Sequence, residues 1–189
     1  MLLKPYIKQY PKVIGLDTTA ILVRYANTLD FNKAYVGEEG IIDENIRRVG
    51  IHHLDVLSKS LTENHWANYL NYKITKLMNY YLQETKLKTY RPYIEHVNQL
   101  DILKYEKNYH YKFHVDEIST TSRILSAIIF LNNDYIGGSL VFKNTFDEEQ
   151  FEVNPIPGSI VIWPSNILFP HAVKPVEKGV RFSIVAWAA

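Results

Sequence analysis

Two histidines, an aspartate and an arginine are spaced so that a β domain can bring them together. Residues 105–116 read Tyr-Glu-Lys-Asn-Tyr-His-Tyr-Lys-Phe-His-Val-Asp and end in His114-x-Asp116. A His and an Asp two apart share one face of a strand, because successive side chains alternate. His171, far along the chain, would complete a two-His, one-carboxylate face with open metal positions, a donor set suited to Fe(II). Arg181 follows ten residues later.

His-x-acid alone is a weak pattern. With 7 His and 20 acidic residues in 189, about 0.7 such pairs arise by chance. His53-Leu54-Asp55 is a second one. It stands just before a helix start, has no strand pattern around it, and reads as loop or helix-entry residues. His114-Val115-Asp116 lies in alternating sequence. Tyr109, Tyr111, Phe113 and Val115 point one way; His110, Lys112, His114 and Asp116 point the other. On a regular strand Tyr111 therefore faces away from His114. Either it lines another surface, or a bulge re-aims it.

A lone His in a strand is more often a hydrogen-bonded structural residue than a ligand. Arg181 opens Val180-Arg-Phe-Ser-Ile-Val-Ala-Trp187, where Arg181, Ser183, Val185 and Trp187 share a face. A buried Arg needs an anionic partner. That partner is one of the protein's own carboxylates, or a ligand carboxylate gripped through two parallel hydrogen bonds. The informative feature is the order: His-x-Asp, then His, then Arg, each on its own strand. Trp163 and Trp187 read as core rather than as a binding cage. Arg47-Arg48 reads as a solvated pair or as cations facing a substrate carboxylate.

The elements that must position these residues come in two blocks. Asp17-Thr18-Thr19 is a candidate cap for a short helix through Ala20, Ile21, Leu22, Tyr25 and Leu29. Gly37–Gly40 reads as a turn or loop, and residues 41–55 are ambiguous. Ser60-Leu-Thr-Glu63 fits a capping box. Behind it Trp66, Tyr69, Leu70, Ile74, Leu77, Met78, Tyr81 and Leu82 recur at three- and four-residue steps. This predicts a helix ending near 85–88, with an apolar stripe that needs a sheet. From Ile94 the period changes to short runs rich in Val, Ile, Tyr and Phe, broken by turn signals. Strands are expected near 94–106, 109–117, 122–132, 139–144, 150–154, 159–163, 170–175 and 180–187. Eight short strands with such punctuation predict a jelly roll or double-stranded β-helix. The fold class is thus α+β with a mainly β core, and N-terminal helices packed on one sheet. The expected organisation is one domain, with residues 1–92 as largely helical support and 93–189 as the core.

Composition narrows the function classes. The formal charge is +1, from 21 basic and 20 acidic residues, which gives no polyanion-binding surface and argues against a nucleic-acid partner. There is no cysteine, so a metal here must use His and carboxylate. The N-terminus lacks a basic n-region with an apolar stretch, and no run approaches the roughly 18 apolar residues of a membrane span. The expectation is a soluble cytoplasmic protein without a membrane partner, of a size that suits a bacterial or viral enzyme.

With these residues in place, the chain resembles the Fe(II)/2-oxoglutarate-dependent dioxygenases, specifically their prolyl 4-hydroxylase-like branch. The resemblance covers about residues 100–187. It rests on Tyr105, Tyr111 and His114-x-Asp116; on Ile128-Ile-Phe-Leu-Asn-Asn-Asp134 with Gly137-Gly138-Ser139-Leu-Val-Phe142; and on Pro155-Ile-Pro-Gly158, His171-Ala-Val-Lys-Pro-Val176 and Arg181-Phe-Ser183. Ser139 stands where the family usually has an acidic residue, Asn133 where it often has Asp, and Arg181 where collagen-type enzymes carry Lys. None of these is a metal ligand. The departures bear on substrate.

The resemblance implies that His114, Asp116 and His171 hold Fe(II), and that 2-oxoglutarate chelates it. The far carboxylate of 2-oxoglutarate is then expected on Arg181, helped by Ser183 or by a hydroxyl of Tyr105 or Tyr111. O2 is the co-oxidant and ascorbate an optional reductant. The implied reaction hydroxylates a C–H bond and releases succinate and CO2. The implied substrate is a peptidyl proline or a proline-like amino acid. The rival readings are the same chemistry on another small molecule, a non-catalytic jelly-roll binding module, and a Zn hydrolase, which would have no use for Arg181.

Overall fold

The computed structural model describes residues 3–36, 40–118, 120, 122–146 and 148–189. Of the turn expected at Gly37–Gly40, residues 37–39 lie outside the described residues, and Gly40 is in a turn at φ +66°. In chain order the elements are β1 (Lys8–Tyr10), α1 (Leu16–Ala26), β2 (Asn32–Lys33), β3 (Arg47–Arg48), β4 (Gly50–His53) and α2 (Leu61–Glu84). There follow β5 (Gln99–Tyr105), β6 (His110–His114), β7 (Leu125–Phe130), β8 (Ile136–Gly137), β9 (Leu140–Lys143) and β10 (Gln150–Val153). The last are β11 (Ile160–Pro164), β12 (His171–Val173), β13 (Val176–Lys178) and β14 (Arg181–Ala188). No helix among the described residues is long and apolar enough to cross a membrane.

The strands form a seven-stranded sheet, β1-β11-β7-β14-β5-β4-β2, a five-stranded sheet, β10-β9-β12-β6-β3, and a small β13-β8 pair. Strand alternation splits the apolar residues into two cores. On β14, Phe182, Ile184 and Ala186 join the helix side, with Leu22 and Ala26 of α1 and Leu70, Ile74 and Met78 of α2. Val185 and Trp187 point the other way, into a core shared with Phe142 and Val173 of the five-stranded sheet. The helices therefore cover one face of the larger sheet, and the smaller sheet covers the other.

The helix expected from the capping box forms as read. Ser60 Oγ accepts a hydrogen bond from Glu63 N at 3.4 Å, and Thr85 is the C-cap. Only half of the box is made. The Glu63 carboxylate accepts from Asp55 N instead, 3.2 Å away, and lies 3.4 Å from His52 Nε2, which ties the helix start to the end of β4. In α1 the expected cap moves: Gly15 is the N-cap, and Asp17 and Thr18 sit inside the first turn. The alternation at 94–98 does not build a strand. Asn79 of α2 bonds both the N–H and the carbonyl of Ile94, at 2.9 and 2.8 Å. Its side-chain amide takes the place of a strand partner and satisfies backbone groups that burial would otherwise strand.

The first 60 residues supply more than helices. β1 extends one edge of the large sheet, β4 and β2 extend the other, and β3 pairs with β6 in the small sheet. His53 is therefore the last residue of a strand, not of a loop. These pieces are two to four residues long, too short to show a period.

Leu70 is fully buried beneath α2, whereas Leu61, one residue into the same helix, is 88 % exposed. Leu70→Ala should cost about 2–5 kcal/mol through lost burial and a residual cavity, and Leu61→Ala within about 0.5 kcal/mol of nothing. Urea unfolding of both variants checks the packing of α2 against the sheet; equal losses would contradict it.

Candidate active site

Antiparallel pairing of β6 with β12 sets His114 directly opposite His171. Two residues further on β12, Val173 pairs with Tyr111, which is three residues back on β6. The extra residue is a β-bulge. It breaks the alternation of β6, and Tyr111 ends up stacked on His114, with ring centroids 3.4 Å apart and planes at 16°. Of the two alternatives the alternation leaves open for Tyr111, the bulge is the one that forms. It also leaves Phe113, expected on the same face as Tyr111, 43 % exposed.

Past the bulge, Asp116 is buried and reaches both histidines. His114 Nε2 lies 3.7 Å from Asp116 Oδ1, and His171 Nε2 lies 3.5 Å from Asp116 Oδ2. The other ring nitrogens are occupied. His114 Nδ1 is 2.9 Å from the Lys112 carbonyl, and His171 Nδ1 is 3.1 Å from the Phe169 carbonyl. With Nδ1 engaged by these carbonyls, both rings turn Nε2 toward Asp116. One ligand atom from each of the three residues falls within 4.8 Å of the others, a grouping that could hold a metal ion.

Electrostatics keep the set in a metal-ready state. Burial, with the His171 ring beside it, pushes His114 down to about 3, so it is neutral at physiological pH. Burial alone would raise Asp116, but His171 and His114 more than offset this and hold the carboxyl below the usual range. Asp116 Oδ2 is buried without a hydrogen-bond donor. A buried carboxylate with one oxygen lacking a donor, set beside two imidazole Nε2 atoms, is a place for a cation.

Arg181 and Ser183 open β14 on the face that looks into the second core. Arg181 is fully buried and pairs across the ladder with Tyr105; Ser183 pairs with Phe130. The guanidinium lies against the Tyr105 and Phe130 rings, 5.0 and 5.6 Å from their centroids. All three of its nitrogens are buried without an acceptor, as are Ser183 Oγ and the Tyr135 hydroxyl. Of the two partners open to Arg181, a carboxylate of the protein is absent among the described residues. Two features hold it in place. Asn132 clasps the backbone on either side, accepting from Phe182 N and donating to Val180 O, both at 2.8 Å. Gly138, at φ +64°, leaves room for it: a Cβ there would stand 3.2 Å from Arg181 Cδ and 2.9 Å from Val176 Cγ2.

Three nearby residues have weaker sequence signals. Arg123 lies over the Trp187 ring at 4.1 Å, and donates to the Asp116 carbonyl at 3.2 Å and to Gln99 Oε1 at 2.9 Å. Its one signal is a lone cation at the head of the apolar run 124–131. Tyr135 is an aromatic inside a turn, which periodicity does not flag. Its phenol is pushed up by burial, against the pull of Arg181. Arg47 lies over the Tyr111 ring at 4.6 Å. Trp163 and Trp187 are core residues as expected, although Trp163 also packs edge-on against His171 at 4.9 Å.

Residues 100–189 match the model of the 2OG-Fe(II) oxygenase superfamily. That segment, just under half of the chain, is similar to members of this superfamily. A PKHD-type hydroxylase of Crocosphaera subtropica is 31% identical over 100 residues, which are 49% of this chain and 43% of that protein. The PKHD-type hydroxylase YbiX of Shigella boydii is 34% identical over 93 residues, 44% of this chain and 40% of that protein. The chain thus matches about two-fifths of the length of these relatives. In fold it is similar to a Pseudomonas putida prolyl-4-hydroxylase, with a TM-score of 0.71 at 20% identity over 97% of this chain and 91% of that one. A Trichoplax adhaerens prolyl hydroxylase, solved with a hypoxia inducible factor peptide fragment, gives 0.71 at 16% identity over 97% and 83%.

The competing His-x-acid pair has a structural use. His53 Nδ1 lies 2.8 Å from Asp101 Oδ1 of β5, and that bond raises the His53 pKa above 6.5. A raised folded-state pKa stabilises the fold fully below the unfolded value of about 6.5, and the contribution fades as pH rises through the folded value. The stability difference between wild type and His53→Gln should therefore be largest near pH 5.5 and shrink above pH 8. Urea unfolding across that range checks it; a difference that grows with pH would contradict the pairing.

Proposed function

We propose that the chain is an Fe(II)- and 2-oxoglutarate-dependent dioxygenase that hydroxylates a C–H bond. The observation that carries this is the buried Arg181 guanidinium, without an acceptor and beside an unpartnered Ser183, in the same core as the converged His-Asp-His set. A Zn hydrolase needs the three ligands but has no task for Arg181. In this reading the two large sheets are the double-stranded β-helix of the class, and residues 1–92 complete the same domain by adding strands to both.

His114 Nε2, Asp116 and His171 Nε2 would hold Fe(II). Arg181 and Ser183 would take the far carboxylate of 2-oxoglutarate, with Tyr105 packed against the guanidinium. When bound, the metal with 2-oxoglutarate and O2 supplies the oxidation, converting 2-oxoglutarate to succinate and CO2 as one oxygen atom enters a C–H bond. The chain's own work is positional. The Lys112 and Phe169 carbonyls fix the imidazole tautomers, and Tyr111 shields one face of His114. The surrounding core excludes water from the cosubstrate pocket.

A peptidyl proline or proline-like amino acid is the substrate that the comparisons favour. Prolyl hydroxylases recur among proteins of this fold, and one of them was solved with a peptide bound. Tyr111 and the segments carrying Arg47 and Arg123 are the chain's own candidates for shaping the entrance.

Succinate release from 2-oxoglutarate, assayed with Fe(II), with and without ascorbate, and against peptide and amino-acid panels, tests the proposal. His114→Ala and Asp116→Ala should reduce Fe(II)-dependent succinate to background, while His53→Ala should leave it intact. Full turnover in Asp116→Ala would sink the assignment. Arg181→Lys loses the two-pronged grip and should raise the 2-oxoglutarate requirement roughly 10-fold or more. An unchanged requirement would mean that Arg181 serves another group.

A further inference from the structure

A groove of about 280 Å³ is bounded by β2, β3 and β4, with Phe31, Ala34 and Val49 in its wall. Four cations and three acids line it. Three of the cations are ion-paired, sharing two carboxylates. Lys33 and Arg48 pair with Glu44, at 2.6 and 3.3 Å, and Lys104 pairs with Glu106 at 2.7 Å. The remaining acid, Asp30, meets His52 through its backbone carbonyl. Arg47 is different. Among the described residues no carboxylate lies within ion-pair distance of it.

Arg47 is also the groove residue that reaches the metal-binding set. Its guanidinium lies on one face of Tyr111, and His114 lies stacked against the same ring. Its Nη1 donates to the Tyr35 carbonyl at 2.9 Å, and its Nε is buried without an acceptor. The pair partner of Arg47 on β6 is Tyr111 itself, so the strand ladder fixes where this charge stands. Across the centre, Arg123 adds a second guanidinium, also with a buried Nε lacking an acceptor. A half-buried guanidinium on an aromatic ring gains on the order of 1 kcal/mol from it, which does not replace a counter-ion.

We infer that Arg47 is a specificity residue for a carboxylate on the substrate, held between the groove and the Tyr111 ring that stacks on His114. A guanidinium suits a carboxylate because its planar fork matches the two oxygens. That carboxylate comes either from the α-carboxylate of a free or C-terminal residue or from an acidic side chain next to the oxidised position. The inference rests on the proposed dioxygenase reading and specifies the substrate class of that site.

The test uses binding rather than turnover. Protein loaded with Zn(II) and 2-oxoglutarate is titrated by NMR with matched acid and amide probes. N-acetylproline against N-acetylprolinamide reports an α-carboxylate; acetyl-Pro-Asp-amide against acetyl-Pro-Asn-amide reports a side-chain one. The acid of at least one pair should bind about tenfold tighter than its neutral partner. Arg47→Gln should bring that ratio close to one, leaving amide and 2-oxoglutarate affinities unchanged. Arg47→Lys should retain part of the preference, and Arg48→Gln all of it. No preference for either acid in the wild type, or a preference that survives in Arg47→Gln, would overturn the inference. Failure of the Zn(II)-loaded wild type to bind 2-oxoglutarate at all would instead remove the dioxygenase reading beneath it.

Discussion

A guanidinium sealed in an apolar core without a counter-charge among the described residues is the constraint on which the rest of the structure depends. Taking such an ion out of water costs several kcal/mol even after relaxation. The rings of Tyr105 and Phe130 beside Arg181 return on the order of 2 kcal/mol each, and carry no charge to balance it. The remainder is a standing demand for an anion. Ser183 Oγ and the Tyr135 hydroxyl, both buried and unpartnered, share that demand. The His-Asp-His set has the opposite need, with an ionised, donor-free carboxylate oxygen waiting for a cation. In the proposed reading, Fe(II) and a dicarboxylate chelator bring this cation and anion together.

The fold meets this demand through strand pairing. β12 sets His171 against His114, and β14 sets Arg181 against Tyr105. The bulge on β6 lets one short strand present both Tyr111 and His114 to the site, which regular alternation forbids. Asn132 and Gly138 do for Arg181 what the bulge does for Tyr111. One fixes the backbone, and the other yields the space that a side chain would fill. Neither these two residues nor the bulge has chemistry of its own to offer, yet each decides where a reactive group stands.

The chain was most legible where side-chain period and chemistry agree. From residue 99 onward, long alternating strands and explicit turns made eight strands and the His114, Asp116, His171 and Arg181 order readable. Local rules misled in three ways. His53 was assigned to a loop because β4, at four residues, is too short to show a period. The run 94–98 alternates like a strand but is paired by asparagine side chains from α2. The α1 start carries three good capping residues, yet the chain caps at Gly15 because Thr19 bonds back to the Leu16 carbonyl at 2.7 Å. Arg123 and Tyr135 stayed hidden for another reason. Their partners lie on distant strands, and no spacing along the chain encodes a contact made across the sheet.

The central claim is that one site holds a metal on three side chains and a dicarboxylate on Arg181 at the same time. Anaerobic addition of Fe(II) and then 2-oxoglutarate measures this most directly, through the weak visible absorbance band that appears when both are bound together. The account predicts a saturable band in the wild type, its loss in Asp116→Ala, and a requirement for more 2-oxoglutarate in Arg181→Lys. No band in the wild type at saturating Fe(II) and 2-oxoglutarate, or an unaltered band in Asp116→Ala, would contradict it.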